Sequence, residues 1–410
     1  MRLFTTLLFL VVSVPAIAQT TAIVGGKVHT VGPLGTIDDA TIIMEKGRIR
    51  SVGTSLSVPG GAKIIDASGK IITPGLFAST GQMGLVEVGF SAGPIDSQQR
   101  GEQFTASFDV ADAYNRRSTL VPINRIEGVT RAAIVPSPAS PNDSGEAGHI
   151  LSGLAAIVNL GDDNVLDRRG AAMVVTLGER GSNFSGGTRT GAWLLLQNAL
   201  AEATDYRDNK MDVARGMRRE YQHSINDLEA LQSVIDGDTP LLVGVDRASD
   251  IETLIRLSKE VGFRAIIVGG TEAWMVADAI AAANIPVILA PLSNLPGNFD
   301  RINARSGAAT LLARAGVKVA FTEARSATHN ARNLTQTAGN AVGDGLAWDA
   351  ALRAITLTPA EIYGVADTVG SIEAGKAADI VIWPADPLEV TSYPDQVFIN
   401  GVDMPMISRQ

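Results

Sequence analysis

The chain has 410 residues, 45% of them hydrophobic and 19% charged, enough apolar content for at least one large core and too much for a disordered protein. A formal charge of −9 argues against nucleic acid or an anionic membrane surface as partner, because both need a basic face. With no cysteine, there is no disulfide, no thiol nucleophile and no lipidated anchor.

Residues 1–18 read as a secretion signal: Arg2, an apolar run over 3–14, Pro15, then the small-residue triplet Ala16-Ile17-Ala18. The expectation is cleavage after Ala18 and a soluble periplasmic protein, since the run is shorter than the roughly 18 apolar residues of a membrane helix. Residues 19–73 alternate short β-type runs with glycine turns, "TAIVGGKVHTV", "ATIIMEKGRIRSVG" and "AKIIDASGKIIT", and predict hairpins. "IITPGLFASTGQMGL", starting at Ile71, reads as a buried strand around a Pro-Gly that opens into small polar residues. Over 74–364 single buried strands alternate with helices: "AAMVVTLG", "TPLLVGVD", "FRAIIVGG", "IPVILAP" and "VKVAFTE", with "DIETLIRLSKEVG" and "AWMVADAIAAAN" between. That repetition predicts a parallel sheet with helices outside it, and its length fits an α/β fold of the (β/α)8 TIM-like type. Residues 365–410 return to hairpin style.

"GKIITPGLFAS", "TPAEIYGVADTVGSIEAGKAADIVIW" and "DPLEV" resemble the motifs of the amidohydrolase superfamily, nearest to the imidazolonepropionase-like amidohydrolases. The resemblance covers nearly the whole mature chain. It implies a (β/α)8 barrel over 74–364 and a small composite β-sandwich domain built from 19–73 and 365–410. It also implies a His-x-His pair after the Pro-Gly, whose i, i+2 spacing points two imidazoles to one metal. The matching positions here are Thr80 and Gln82, a hydroxyl and a neutral amide, which are poor ligands for a transition metal. No lysine occurs between Lys70 and Lys210, where the family's fourth strand carries one. The fifth strand offers Val243 and Val245, the sixth Gly269, and the eighth Glu323 in place of an aspartate.

Histidine arithmetic agrees. The chain has four histidines, and His29 lies in the N-terminal hairpin zone. The expectation is therefore no binuclear centre and no resident cofactor, with at most one weakly bound divalent metal such as zinc.

The remaining polar groups each carry two readings. Glu323 and His329 are the catalytic candidates, as general base or as ligands of a single metal at the barrel face. Arg325, Asn330 and Arg332 crowd the same loop and suit a carboxylate; Glu87 follows the altered strand, where it reaches the mouth or caps a helix; Trp274 lines a pocket or only packs. His149, in a glycine-flanked loop, reads as structural, and His223, in "RREYQHSINDLEA", as a solvated helix residue. "GERGSNFSGGTRTG" lacks a Walker lysine and reads as a mobile loop over the mouth.

Three functions follow. The first is a hydrolase of carbon–nitrogen bonds in small amides, cyclic imides or dipeptides, working with a reduced site. The second is an inactive barrel that binds a ligand or an active paralogue. The third is a metal-free enzyme of another chemistry. Expected partners are a small molecule and either a paralogous amidohydrolase or a second copy of this chain, with no nucleic acid and no membrane.

Overall fold

The computed structural model describes residues 20–87, 95–101, 103–139, 148–323 and 329–407; the signal-like segment and Arg325 lie outside them. Two sheets organise these residues. The first is built from both chain ends: β1 (Thr21–His29), β2 (Thr36–Glu45), β3 (Arg48–Gly53), β4 (Lys63–Asp66) and β5 (Ile71–Pro74) join β14 (Ile380–Trp383), β15 (Gln396–Ile399) and β16 (Val402–Asp403). β1, β2 and β3 form the expected antiparallel hairpins, while β4 and β5 run parallel to β1. β14 lies antiparallel to β5, and Trp383 donates from its buried indole to Thr73 Oγ1 at 2.9 Å.

The second sheet is the barrel: β6 (Leu76–Gly81), β7 (Val129–Ile134), β8 (Leu151–Asn159), β9 (Leu166–Thr176), β10 (Leu241–Val245), β11 (Ala265–Gly269), β12 (Val287–Leu289) and β13 (Val319–Phe321). "IITPGLFASTG" is thus two strands, not one. Pro74 ends the terminal sheet and Gly75 turns the chain into the barrel; a Cβ on Gly75 would lie 2.1 Å from Thr130 Oγ1, so only glycine fits the joint.

One strand departs from a purely parallel barrel. β8 pairs antiparallel with both β7 and β9, so 129–176 is a meander rather than strand–helix repeats. Its start therefore lies at the mouth, level with the C-terminal ends of the other strands.

Register separates two faces along the strands. Val175, Val243, Ile267, Val287 and Phe321 pack with the surrounding helices. Val174, Leu242, Ile266, Ile288 and Ala320 face the lumen together with Tyr363. Tyr363, buried below the mouth, donates to Ser79 O at 2.6 Å and stacks on Phe77 at 6.2 Å, so the "TPAEIYG" segment plugs the barrel. Among the described residues no helix is long and apolar enough to cross a membrane.

Candidate active site at the barrel mouth

The mouth has two sectors. Over β13, β6, β7 and the start of β8 it is mostly neutral, with the half-buried Glu323 following β13. Thr80 and Thr322 share a hydroxyl–hydroxyl hydrogen bond of 2.7 Å where β6 and β13, the two ends of the sheet, adjoin. Gln82 Nε2 donates to Ser137 Oγ at 2.9 Å, and Gln98 Nε2 reaches the same hydroxyl at 3.2 Å. Ser137, Thr105, His149 and Ser152 line a small pocket beside them. His149 Nδ1 accepts from Leu151 N at 3.1 Å, which leaves its proton on Nε2. Burial first, and neighbouring His223 second, push the His149 imidazole down to about 4, so it stays neutral at physiological pH.

Over β9 to β12 the rim is charged. Asp246 follows β10; its carboxylate accepts from Thr271 N at 3.1 Å, Thr271 Oγ1 at 2.6 Å and Arg301 Nε at 2.9 Å. Asp300 accepts from Glu179 N at 2.6 Å and pairs with Arg189, whose Nε lies 3.4 Å from Asp250. Burial raises Asp250 against the pull of Arg189.

Comparison with known proteins gives the lineage of this geometry. Residues 242–407 match the amidohydrolase family model. Over that stretch the chain is similar to the amidohydrolase family. It is 25% identical over 390 residues to amidohydrolase tasK of Hapsidospora irregularis, covering 88% of this chain and 39% of that protein, so it spans about two fifths of that relative. A stretch of 37 residues is 51% identical to dihydropyrimidinase-related protein 5 of Homo sapiens, 9% of this chain and 7% of the relative. The crystal structure of an amidohydrolase from Thermotoga maritima MSB8 superposes with a TM-score of 0.83 at 24% identity, covering 95% of this chain and all of that one, and shares the fold.

In this protein the residues singled out from sequence do not all stand at the mouth. Thr80 and Gln82 do sit at the mouth, each satisfied by a neutral neighbour. Val243 and Val245 do not: they are in the helix-facing core, because the lumen-facing positions of β10 are Leu242 and Gly244. Gly269 ends β11 beside the Asp246 carboxylate. Its φ is +93°, a Cβ there would lie 2.7 Å from Asp246 Oδ1, and Val268 is the β11 residue packed with the lumen cluster.

Glu323 is half-buried and its carboxylate accepts from Thr337 Oγ1 on the helix Leu334–Gly343. Burial raises it, with the Thr337 bond opposing. His329 is exposed, and no hydrogen bond joins it to Glu323. Asn330 and Arg332 lie half-buried in the turn Asn330–Asn333, where the Arg332 charge acts on Glu127. Glu87 is exposed and accepts from Ser118 Oγ at 2.7 Å and Asn115 Nδ2 at 3.0 Å, ahead of the helix Leu120–Arg125. Trp274 donates to Asn303 O at 3.0 Å beneath the Arg305 guanidinium.

His223 is not solvated. It is buried outside any helix, with Nδ1 3.0 Å from Glu202 Oε2 and its ring edge-on to His149. Among the described residues no three His, Asp or Glu side chains are grouped to hold a metal ion. The groups missed by sequence reasoning are Thr322, Ser137, Gln98, Asp246, Asp300 and Arg301. Asp246 had a signal, a lone carboxylate directly after an apolar strand; the others pair across segments distant in sequence.

Proposed function

We propose that this protein is an exported, periplasmic amidohydrolase-type hydrolase directed at carbon–nitrogen bonds in small amides, cyclic amides or dipeptide-like molecules, and that it works without the superfamily's binuclear metal centre. The observation that carries the reading is the neutral sector. At the two positions matching the His-x-His pair, side chains are hydrogen-bonded to a threonine and a serine, and Asp246 fills the space a side chain at 269 would take.

Hydroxyls and a neutral amide do not suit a transition metal. Thr80, Gln82, Gln98 and Ser137 would hold an uncharged amide by donating to its carbonyl and accepting from its N–H. Glu323, raised by burial and next to the neutral sector, is the carboxylate assigned to general acid–base work.

A second reading is favoured by the neutral side chains that stand at the His-x-His positions: an inactive barrel that binds such a ligand, or an active paralogue, without turning it over. Elemental analysis of chelator-free protein, paired with a hydrolysis screen of dipeptides, acyl amino acids and cyclic imides, separates the readings. The expected result is turnover with less than one equivalent of zinc and no loss in EDTA. Ligand binding without turnover supports the inactive barrel, and two tightly held metals per chain defeat both.

A further inference from the structure

The connection after β12, residues 290–307, carries one secondary element, the 3-10 turn Phe299–Arg301. Connections this long without packed structure of their own are uncommon and are often lids. Its side chains are arranged the wrong way round for hydrophobic packing. Leu295, Phe299 and Ile302 are 77%, 80% and 58% exposed, and the one buried residue of the segment is a carboxylate, Asp300, at 4%.

What fastens the segment is polar and aimed at the ends of neighbouring strands. Asp300 pairs with Arg189 and accepts from Glu179 N after β9; Arg301 pairs with Asp246 after β10; Asn303 donates through N and Nδ2 to Glu272 after β11, at 3.1 and 3.0 Å. A strap held by ion pairs and hydrogen bonds, with its apolar groups in water, can detach at low cost to the core.

From this we propose that 290–307 is a rim lid latched by Arg189–Asp300 and Arg301–Asp246, whose release uncovers the β9–β11 side of the mouth. The proposal stands whether or not the barrel is catalytic. Asp246 is then the receptor of the latch, not a metal ligand.

Hydrogen exchange on the full chain tests it. With Arg301→Gln or Asp300→Asn, exchange in 290–307 should rise about tenfold or more while the helix Ala248–Val261 keeps its protection. Wild-type protein taken from about 0.05 to 1 M NaCl should show the same local rise, smaller because the pairs are partly buried. Unchanged exchange of the strap in these variants, or an increase spread evenly over the barrel, overturns the lid. Should the variants fail to fold, a salt series in which strap and helix respond alike overturns it equally.

Discussion

The two sectors of the mouth solve the same problem with different chemistry. Strand ends at a barrel rim leave backbone and side-chain polar groups that need partners. The β13–β6–β7–β8 side supplies them as neutral hydroxyls, amides and a histidine kept uncharged, while the β9–β12 side supplies arginines and aspartates. A neutral sector leaves acceptors and donors usable by an uncharged ligand. In the charged sector Asp246, Asp250 and Asp300 each lie beside an arginine. On the proposed function, ligand recognition belongs to the first and fastening to the second.

The largest effect is expected where the sectors would be forced to resemble a metal site. Gly269→His places a branched substituent at φ +93° and into Asp246 Oδ1, a combination of backbone strain and overpacking expected to cost about 3–5 kcal/mol. Urea unfolding measures it, and a loss under about 1 kcal/mol would mean the Asp246 network yields easily. Thr80→His with Gln82→His, on the neutral side, should cost roughly 1–3 kcal/mol by overpacking and bind zinc weakly, because β10 and β11 present Gly244 and Val268 to the lumen.

Next comes acid. The folded His149 is depressed to about 4 from 6.5, so the native state binds fewer protons than the unfolded chain between those values. Stability contributed by neutral His149 is complete above pH 6.5 and is lost as pH falls toward 4, by roughly 2–3 kcal/mol. His149→Asn, which keeps an acceptor for Leu151 N, should flatten that limb; an unchanged pH profile would remove His149 from the account.

Thr80→Val tests the neutral closure itself. Losing the bond to Thr322 is expected to cost about 1 kcal/mol, with no dependence on salt. Salt dependence of that difference would place charge where the sector is described as neutral.

The smallest effect concerns Glu323, whose native pKa is raised. Its contribution is most favourable at low pH and declines as pH rises through the unfolded value toward the native one, so Glu323→Gln should match wild type near pH 4 and equal or exceed it near pH 8. A variant less stable at pH 8 would assign the ionised carboxylate a structural partner beyond Thr337.

How far the sequence reached differs between elements for identifiable reasons. Hairpins at both ends were legible because alternation and glycine turns are local, and the barrel because strand–helix spacing is local. The antiparallel β8 was not, since direction within a buried apolar run leaves no trace in its residues. Val243 and Val245 were placed on the wrong face because a one-residue choice reverses every side chain of a strand, and a fully buried strand is apolar on both faces. Glu323 and His329 lay close in sequence, yet one carboxylate is tied to Thr337 and the other ring is in solvent.

What the sequence determined by itself is therefore the family resemblance, the alternation that builds both sheets, and the presence of Thr80 and Gln82 where that resemblance implies imidazoles. Tertiary structure decided what those residues do. Whether a threonine is a spare donor or half of a seam depends on Thr322, 242 positions away, and whether Asp246 is a ligand or a latch depends on Arg301. Hydrogen bonds and ion pairs act over a few ångströms of space, and only the fold converts sequence distance into that range.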